Sequence, residues 1–242
     1  MRNALSILLL LSLTLSLKGQ ILFKQDFGGN NVSDDSISQR IFKQCKYHQI
    51  FTNDDGSEIG TFSIRKKAFY NGNRVNGMAA TDSQWFSQDD HTYPNDYTRG
   101  YFLQVDGSLE NDLFYSFRIQ RLRPGATIEF SAWFVNLYTP YQRFVYEERH
   151  KPVALPDIDL IVLTAPDIDA EVARFRIGPL PYDTTLQERF DYLKSSTWIN
   201  YKFQMKVPEG TTTLYFVFGN RAAASPGDDF GIDDIVVKYI KK

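Results

Sequence analysis

Leu122-Arg123-Pro124-Gly125-Ala126-Thr127-Ile128-Glu129-Phe130-Ser131-Ala132-Trp133-Phe134 reads as a tight turn followed by a β-strand. Arg-Pro-Gly is turn chemistry, because proline presets its φ and glycine takes a positive φ without strain. Beyond it Ile128, Phe130, Ala132 and Phe134 alternate with more polar neighbours. A strand turns successive side chains to opposite faces, so period two marks a strand with one buried face. The alternation recurs at Leu113, Tyr115, Phe117 and Ile119, and at Ile158, Leu160 and Val162. It returns at Ile199, Tyr201, Phe203 and Met205, and at Leu214, Phe216 and Phe218. Turn signals separate the runs: Asn53-Asp54-Asp55-Gly56, Asn71-Gly72, Asp106-Gly107 and Pro208-Glu209-Gly210. Aromatic residues make up 15% of the chain and concentrate in these runs, where a pleated surface suits them. The pattern predicts about ten short strands and almost no helix, which means an all-β sandwich or barrel. Only residues 184–194 could form a short helix, with Phe190 and Leu193 as its apolar contacts.

Working outward, the first residues stand apart from this pattern. Arg2 precedes a Leu-rich apolar run over residues 4–17, and the small Gly19 follows. That is the layout of a secretory signal peptide, and the run is shorter than the roughly 20 apolar residues of a membrane span. Residues 1–19 are therefore read as the signal peptide and residues 20–242 as one domain. The chain is expected to be secreted (periplasmic, extracellular or cell-surface associated), with no membrane span after signal removal. Of 27 basic and 29 acidic residues the signal removes Arg2 and Lys18, leaving 25 against 29, a net charge of −4. A mildly acidic surface gives no reason to expect nucleic acid as a partner. Cys45 is the one cysteine, so no disulfide forms within the chain, and Cys45 is read as a small core residue.

Catalytic patterns are weak. His48, His91 and His150 are the only histidines, and no H-E-x-x-H, G-x-S-x-G, P-loop or C-x-x-C stretch occurs. Glu147-Glu148 is a carboxylate pair, but on a strand its members would face opposite ways. The closing stretch Gly227-Asp228-Asp229-Phe230-Gly231-Ile232-Asp233-Asp234-Ile235-Val236-Val237 sets four Asp against an apolar strand. Alternation draws one Asp toward the interior whichever face is buried. A buried carboxylate is costly unless paired or metal-bound. Two readings are open: turn-capping Asp side chains on backbone amides, or oxygen ligands of a calcium ion. Asp233 and Asp234 are the candidate ligands, with Asp26 of Gln25-Asp26-Phe27-Gly28 as their partner from the first strand. Asp90-His91-Thr92 reads first as a turn, with Asp90 as an alternative ligand.

Aromatics also fall outside the strands. Trp85, Tyr93, Tyr97, Tyr138 and Tyr141 lie in two long irregular stretches, residues 83–99 and 138–156. Loops of that length in a compact β domain are commonly functional. Exposed rings with Asp, Asn and Arg nearby would form a sugar-stacking site; folded back, the same rings would be core. Both readings stand. Trp133 and Trp198 fall at strand positions and are expected in the core.

The order Phe23-Lys24-Gln25-Asp26-Phe27-Gly28, Asp90-His91-Thr92, Arg99-Gly100-Tyr101-Phe102-Leu103-Gln104-Val105-Asp106-Gly107, Phe114-Tyr115, Leu122 to Trp133, Trp198 and Asp229-Phe230-Gly231-Ile232-Asp233-Asp234-Ile235 resembles a known module. It is similar to jelly-roll modules of bacterial cell-surface and adhesin-like proteins. More distantly it resembles MAM domains and galactose-binding-like carbohydrate-binding modules. The resemblance implies a two-sheet antiparallel jelly-roll β-sandwich and a structural calcium with Asp233 as ligand; Asp234 matches the second acid of the MAM-like closing motif. It implies a non-catalytic module whose partner is a glycan or a cell-surface protein. A structural or protein–protein adhesion domain is the alternative, and a polysaccharide-active enzyme a second one. The chain departs from MAM domains in having no disulfide, and residues 178–185 are proline-rich where a simple hairpin is usual.

Overall fold

Alternation becomes two stacked sheets in the computed structural model, which describes residues 19–28, 45–49, 60–65, 85–94, 100–108, 110, 112–148, 153–188, 194–222 and 227–240. The signal segment up to residue 18 and Tyr97 lie outside the described residues. The strands are β1 (Ile21–Gln25), β2 (His48–Gln49), β3 (Thr61–Arg65), β4 (Phe102–Asp106), β5 (Asp112–Gln120) and β6 (Thr127–Asn136). After helix α1 (Pro140–Glu147) come β7 (Ile158–Leu163), β8 (Glu171–Arg176), β9 (Ile199–Lys206), β10 (Thr213–Asn220) and β11 (Phe230–Tyr239).

The larger sheet runs β2-β3-β4-β11-β6-β9, with β1 also on β11; the smaller runs β5-β10-β7-β8. All pairings are antiparallel except the short β2–β3. From β4 on, the chain crosses from sheet to sheet, with only the β7–β8 hairpin staying within one. The fold is an all-β, two-sheet jelly-roll sandwich.

Its core is aromatic. Phe218 of β10 lies 5.8 to 6.5 Å, centroid to centroid, from Phe114, Phe117, Phe130 and Phe134. These residues come from β5, β6 and β10, so the cluster joins both sheets. Tilted and edge-on contacts among such rings add to what their burial supplies. Each outer face also carries apolar cover. On the larger sheet Phe102 and Val135 meet Trp85, Leu137, Tyr138 and Val153. On the smaller sheet Ile161, Leu163 and Val217 meet Cys45, which is buried.

Of the helix expected over residues 184–194, residues 189–193, with Phe190 and Leu193, lie outside the described residues. Residues 184–188 form a turn, with the Leu186 amide on the Asp183 carbonyl at 3.2 Å. Helix α1 lies inside a stretch read as loop. Pro at the first helical position costs no hydrogen bond, and Thr139 before it is a helix-start residue. Glu147 therefore sits on a helix, where its Oε1 accepts from Arg143 Nε and the Val153 amide, both at 3.1 Å. Among the described residues no helix is long and apolar enough to cross a membrane.

Candidate functional site

The site is built on an irregularity in β11. Strict alternation would place Asp234 on the core face with Phe230 and Ile232. Instead Asp233 stands opposite Trp133 while Val236 stands opposite Ser131, so β11 holds one extra residue against β6. Asp234 absorbs it with φ 48°, a conformation that Asp tolerates better than most residues. This β-bulge keeps Ile232 and Ile235 both in the core and turns both carboxylates away from it. The Asp234 amide donates to Asp233 Oδ1 at 2.7 Å.

Residues 85–93 cross over this bulge. The His91 amide donates to Asp233 Oδ2 at 3.2 Å, and the His91 ring Nδ1 lies 2.8 Å from Asp234 Oδ2. The Thr92 hydroxyl donates to that same Asp234 oxygen. The His91 ring stacks on Trp133 at 3.9 Å and meets the edge of Trp198 at 6.0 Å. Trp198 Nε1 in turn donates to the Asp89 carbonyl at 3.1 Å. Trp133 and Trp198 are thus partly buried supports for this segment, not residues of the main core.

Asp90 completes the cluster. Its Oδ1 accepts the Tyr93 amide at 2.5 Å, while its buried Oδ2 has no donor. The carboxyl group facing it is that of Asp233. Two carboxylates attract one another only through a shared proton or a cation. Burial pushes both carboxyls above the usual range, and for Asp233 the charges of Asp90 and Asp234 add to the effect. His91 Nδ1 and carboxylate oxygens of Asp233 and Asp234 lie within 4.8 Å of one another, a group able to hold a metal ion. The carboxylates of Asp233 and Asp234, with the donorless Asp90 Oδ2 nearby in the sequence segment that crosses them, would suit a hard cation such as calcium, which prefers oxygen.

The structure brings Asp233 and Asp234 together, with Asp90 and His91 as the residues that join them. Asp26 does not join. Its strand does neighbour β11, since Gln25 pairs with Ile235, but its carboxylate is held by Lys24 at 2.7 Å and its own turn. The Lys24 hydrogen bond, the largest effect, helps to hold the Asp26 carboxyl below the usual range.

The stacking platform needs a larger correction. Trp85 and Tyr138 are 1% and 0% exposed and pair with each other as an isolated β-bridge. Trp85 Nε1 donates to Asp229 Oδ2 at 2.8 Å, and the Gly107 amide donates to Asp229 Oδ1 at 3.0 Å. With its N–H satisfied inside, the indole has no reason to face water. Tyr93 and Tyr141 are partly buried. The Gly107 position is crowded as well: a Cβ there would lie 2.0 Å from the Asp228 carboxyl carbon.

No family model and no curated protein matches this chain. The solved structures that align with it are distant. The CBM22-1 xylan-binding domain from Paenibacillus barcinonensis Xyn10C is similar at 11% identity and a TM-score of 0.37, over 93% of this chain and 97% of that one. The enzymatically active domain of tailspike protein 4 from bacteriophage CBA120 aligns at 17% identity and a TM-score of 0.35, over 61% of this chain; the match spans 17% of that protein. A Stig cyclase from Fischerella sp. TAU aligns at 9% identity and a TM-score of 0.41, over 65% of this chain and 70% of that one.

Proposed function

We propose that this chain is a secreted, non-catalytic carbohydrate-binding module in which a structural calcium ion ties residues 88–93 to the closing strand. The observation that carries the calcium reading is the unpartnered, buried Asp90 Oδ2 facing Asp233 beneath His91. Asp90, Asp233 and Asp234 supply carboxylate oxygens, and the ion replaces the proton that Asp90 and Asp233 would otherwise share. Without it, like charges press the segment off the sheet. The segment is the one that leads into Tyr93, a partly buried ring followed in sequence by Pro94-Asn95-Asp96. Ring faces with planar hydrogen-bonding neighbours are what a glycan uses, and this supports the ligand class.

Two measurements test the reading. Thermal unfolding in calcium and in chelator reads the ion: a higher melting temperature in calcium is expected, and identical curves overturn it. A printed glycan array probed in calcium reads the ligand class. Binding to a defined set of glycans is expected; a blank array overturns it.

A further inference from the structure

Helix α1 turns an aromatic residue outward. Its inner side is fixed: Tyr146 packs on the apolar cover of the larger sheet, and Glu147 holds Arg143 and the Val153 amide. The Arg143 guanidinium lies over the Tyr182 ring at 4.8 Å. Phe144 precedes Tyr146 by two residues, a rotation of about 200° about the helix axis, so it points the other way. It is 59% exposed, the one exposed aromatic residue among the described residues. Phe is a poorer helix former than Gln, Glu or Lys, and a ring left in water forgoes what burial would give. Neither helix propensity nor packing explains a Phe at this position.

Two polar groups share its stripe. Tyr141 lies three residues before Phe144 and Glu148 four after it, the spacings that make helical side chains neighbours. The Glu148 amide donates to the Phe144 carbonyl at 3.1 Å, so helical spacing carries through to Glu148. Glu148 is exposed and Tyr141 partly so. Among the described residues neither side chain has a hydrogen-bond or ion-pair partner, whereas Arg143 and Glu147 are engaged with each other. The stripe therefore offers three unengaged groups to solvent: a ring face, a phenol that donates and accepts, and a carboxylate that accepts twice. A sugar ring has the matching parts. Its polarised C–H face is attracted to the negative face of an aromatic ring, and its hydroxyls donate to a carboxylate. The stripe carries no cation, so nothing on it favours a sulfate or a uronate, and the Glu148 charge opposes both. A helix surface is convex and meets a ligand from one side. Tyr141 to Glu148 spans about 10 Å of helix, which suits a chain of sugars lying along the stripe better than one sugar enclosed in a pocket.

We propose that Tyr141, Phe144 and Glu148 form a subsite for a neutral oligosaccharide chain. The Phe144 ring lies under the C–H face of one sugar, Glu148 accepts from its hydroxyls, and the Tyr141 hydroxyl meets the next unit. The proposal rests on the carbohydrate reading and names a place for it on the chain, but it is independent of the cation at Asp233 and Asp234.

The test is an array of neutral, uronate-bearing and sulfated oligosaccharides probed with the full chain, followed by calorimetric titration of the best neutral binder. The unaltered chain is compared with Phe144→Ala, Phe144→Tyr and Glu148→Gln, all at exposed positions, with melting temperature as the folding check. Covering a ring that is more than half exposed predicts a loss of about tenfold in affinity for Phe144→Ala at unchanged melting temperature. Phe144→Tyr keeps the ring and is expected to bind like the unaltered chain. Glu148→Gln exchanges a charged acceptor for a neutral one and is expected to bind severalfold more weakly. Unaltered affinity in Phe144→Ala overturns the subsite while leaving the carbohydrate reading intact. So does sedimentation that finds a dimer dispersed by Phe144→Ala with glycan affinity unchanged, since the stripe would then be a contact between copies. Preference for sulfated or uronate glycans overturns the neutral assignment. A blank array overturns both the subsite and the carbohydrate reading.

Discussion

Single atoms decide most of what this site can do. Asp90 Oδ2 lacks a donor, and Asp229 has two, the Trp85 indole and the Gly107 amide. The first is where we propose a cation binds, and the second is a closed structural network. Trp85→Phe keeps the ring but withdraws the indole donor from a buried carboxylate, at a cost of about 1–3 kcal/mol. In a domain of this size each kcal/mol is worth about 2–4 °C, so a fall of several degrees is expected in a thermal scan. An unchanged melting temperature would mean that Trp85 is not held as described. Asp90→Asn is expected to remove most of the calcium-induced rise in melting temperature. Asp26→Asn, at a carboxylate that among the described residues meets Lys24 and its own turn, is expected to leave that rise in place. Sequence alone could pick out Asp233 and Asp234 because an Asp pair in an apolar strand is conspicuous. It could not separate Asp26 from Asp90, because only the path of residues 85–93 determines which acid reaches the bulge.

At the scale of elements, alternation did most of the work and failed where the backbone breaks it. Every run chosen for period two is a strand, because one face of each is buried in the sandwich. The bulge at Asp234 is invisible to that logic, since it shows only in the pairing of β11 with β6. Deleting Asp234 tests its importance. Without the extra residue β11 returns to strict alternation, Ile235 following Asp233 directly, so Ile235, Val237 and Tyr239 keep the core face while the Asp234 carboxylate is lost. The variant is expected to fold, with a cooperative unfolding transition, and to lose the contacts of Asp234 to His91 and Thr92; loss of the transition would show that the bulge itself is needed for folding. The opposite lesson comes from α1. Thr139-Pro140 was a legible helix start. The Tyr-rich stretch after it looked like binding loop because rings in polar company read the same whether buried or exposed. Tyr138 is buried, while Phe144 of α1 stands 59% exposed.

For the molecule as a whole, the buried acids tie stability to pH. Asp90, Asp228 and Asp233 all have carboxyls raised above the usual range, with burial the largest cause in each. A carboxyl raised in the folded state holds its proton more tightly there than in the unfolded chain. Its contribution is full below the ordinary carboxylate range and is lost as pH rises through the raised value. The paired surface acids Asp26, Glu129 and Asp183 work in the other direction, but their effect is complete by about pH 5. In chelator the melting temperature is therefore expected to fall between about pH 5 and pH 8. Calcium needs ionised ligands, so the gain it confers should grow over the same interval. A chelated protein that becomes more stable with rising pH would contradict the assignment of these carboxyls.

Calorimetric titration of calcium into chelator-stripped protein tests the proposed cation at Asp233 and Asp234 most directly. One saturable site is predicted in the unaltered chain, lost in Asp233→Asn. At a hundredfold excess over the dissociation constant it should contribute about 2.7 kcal/mol to folding, or roughly 5–11 °C in melting temperature. No heat of binding and no thermal shift in the unaltered chain, or a full site surviving in Asp233→Asn, would contradict it.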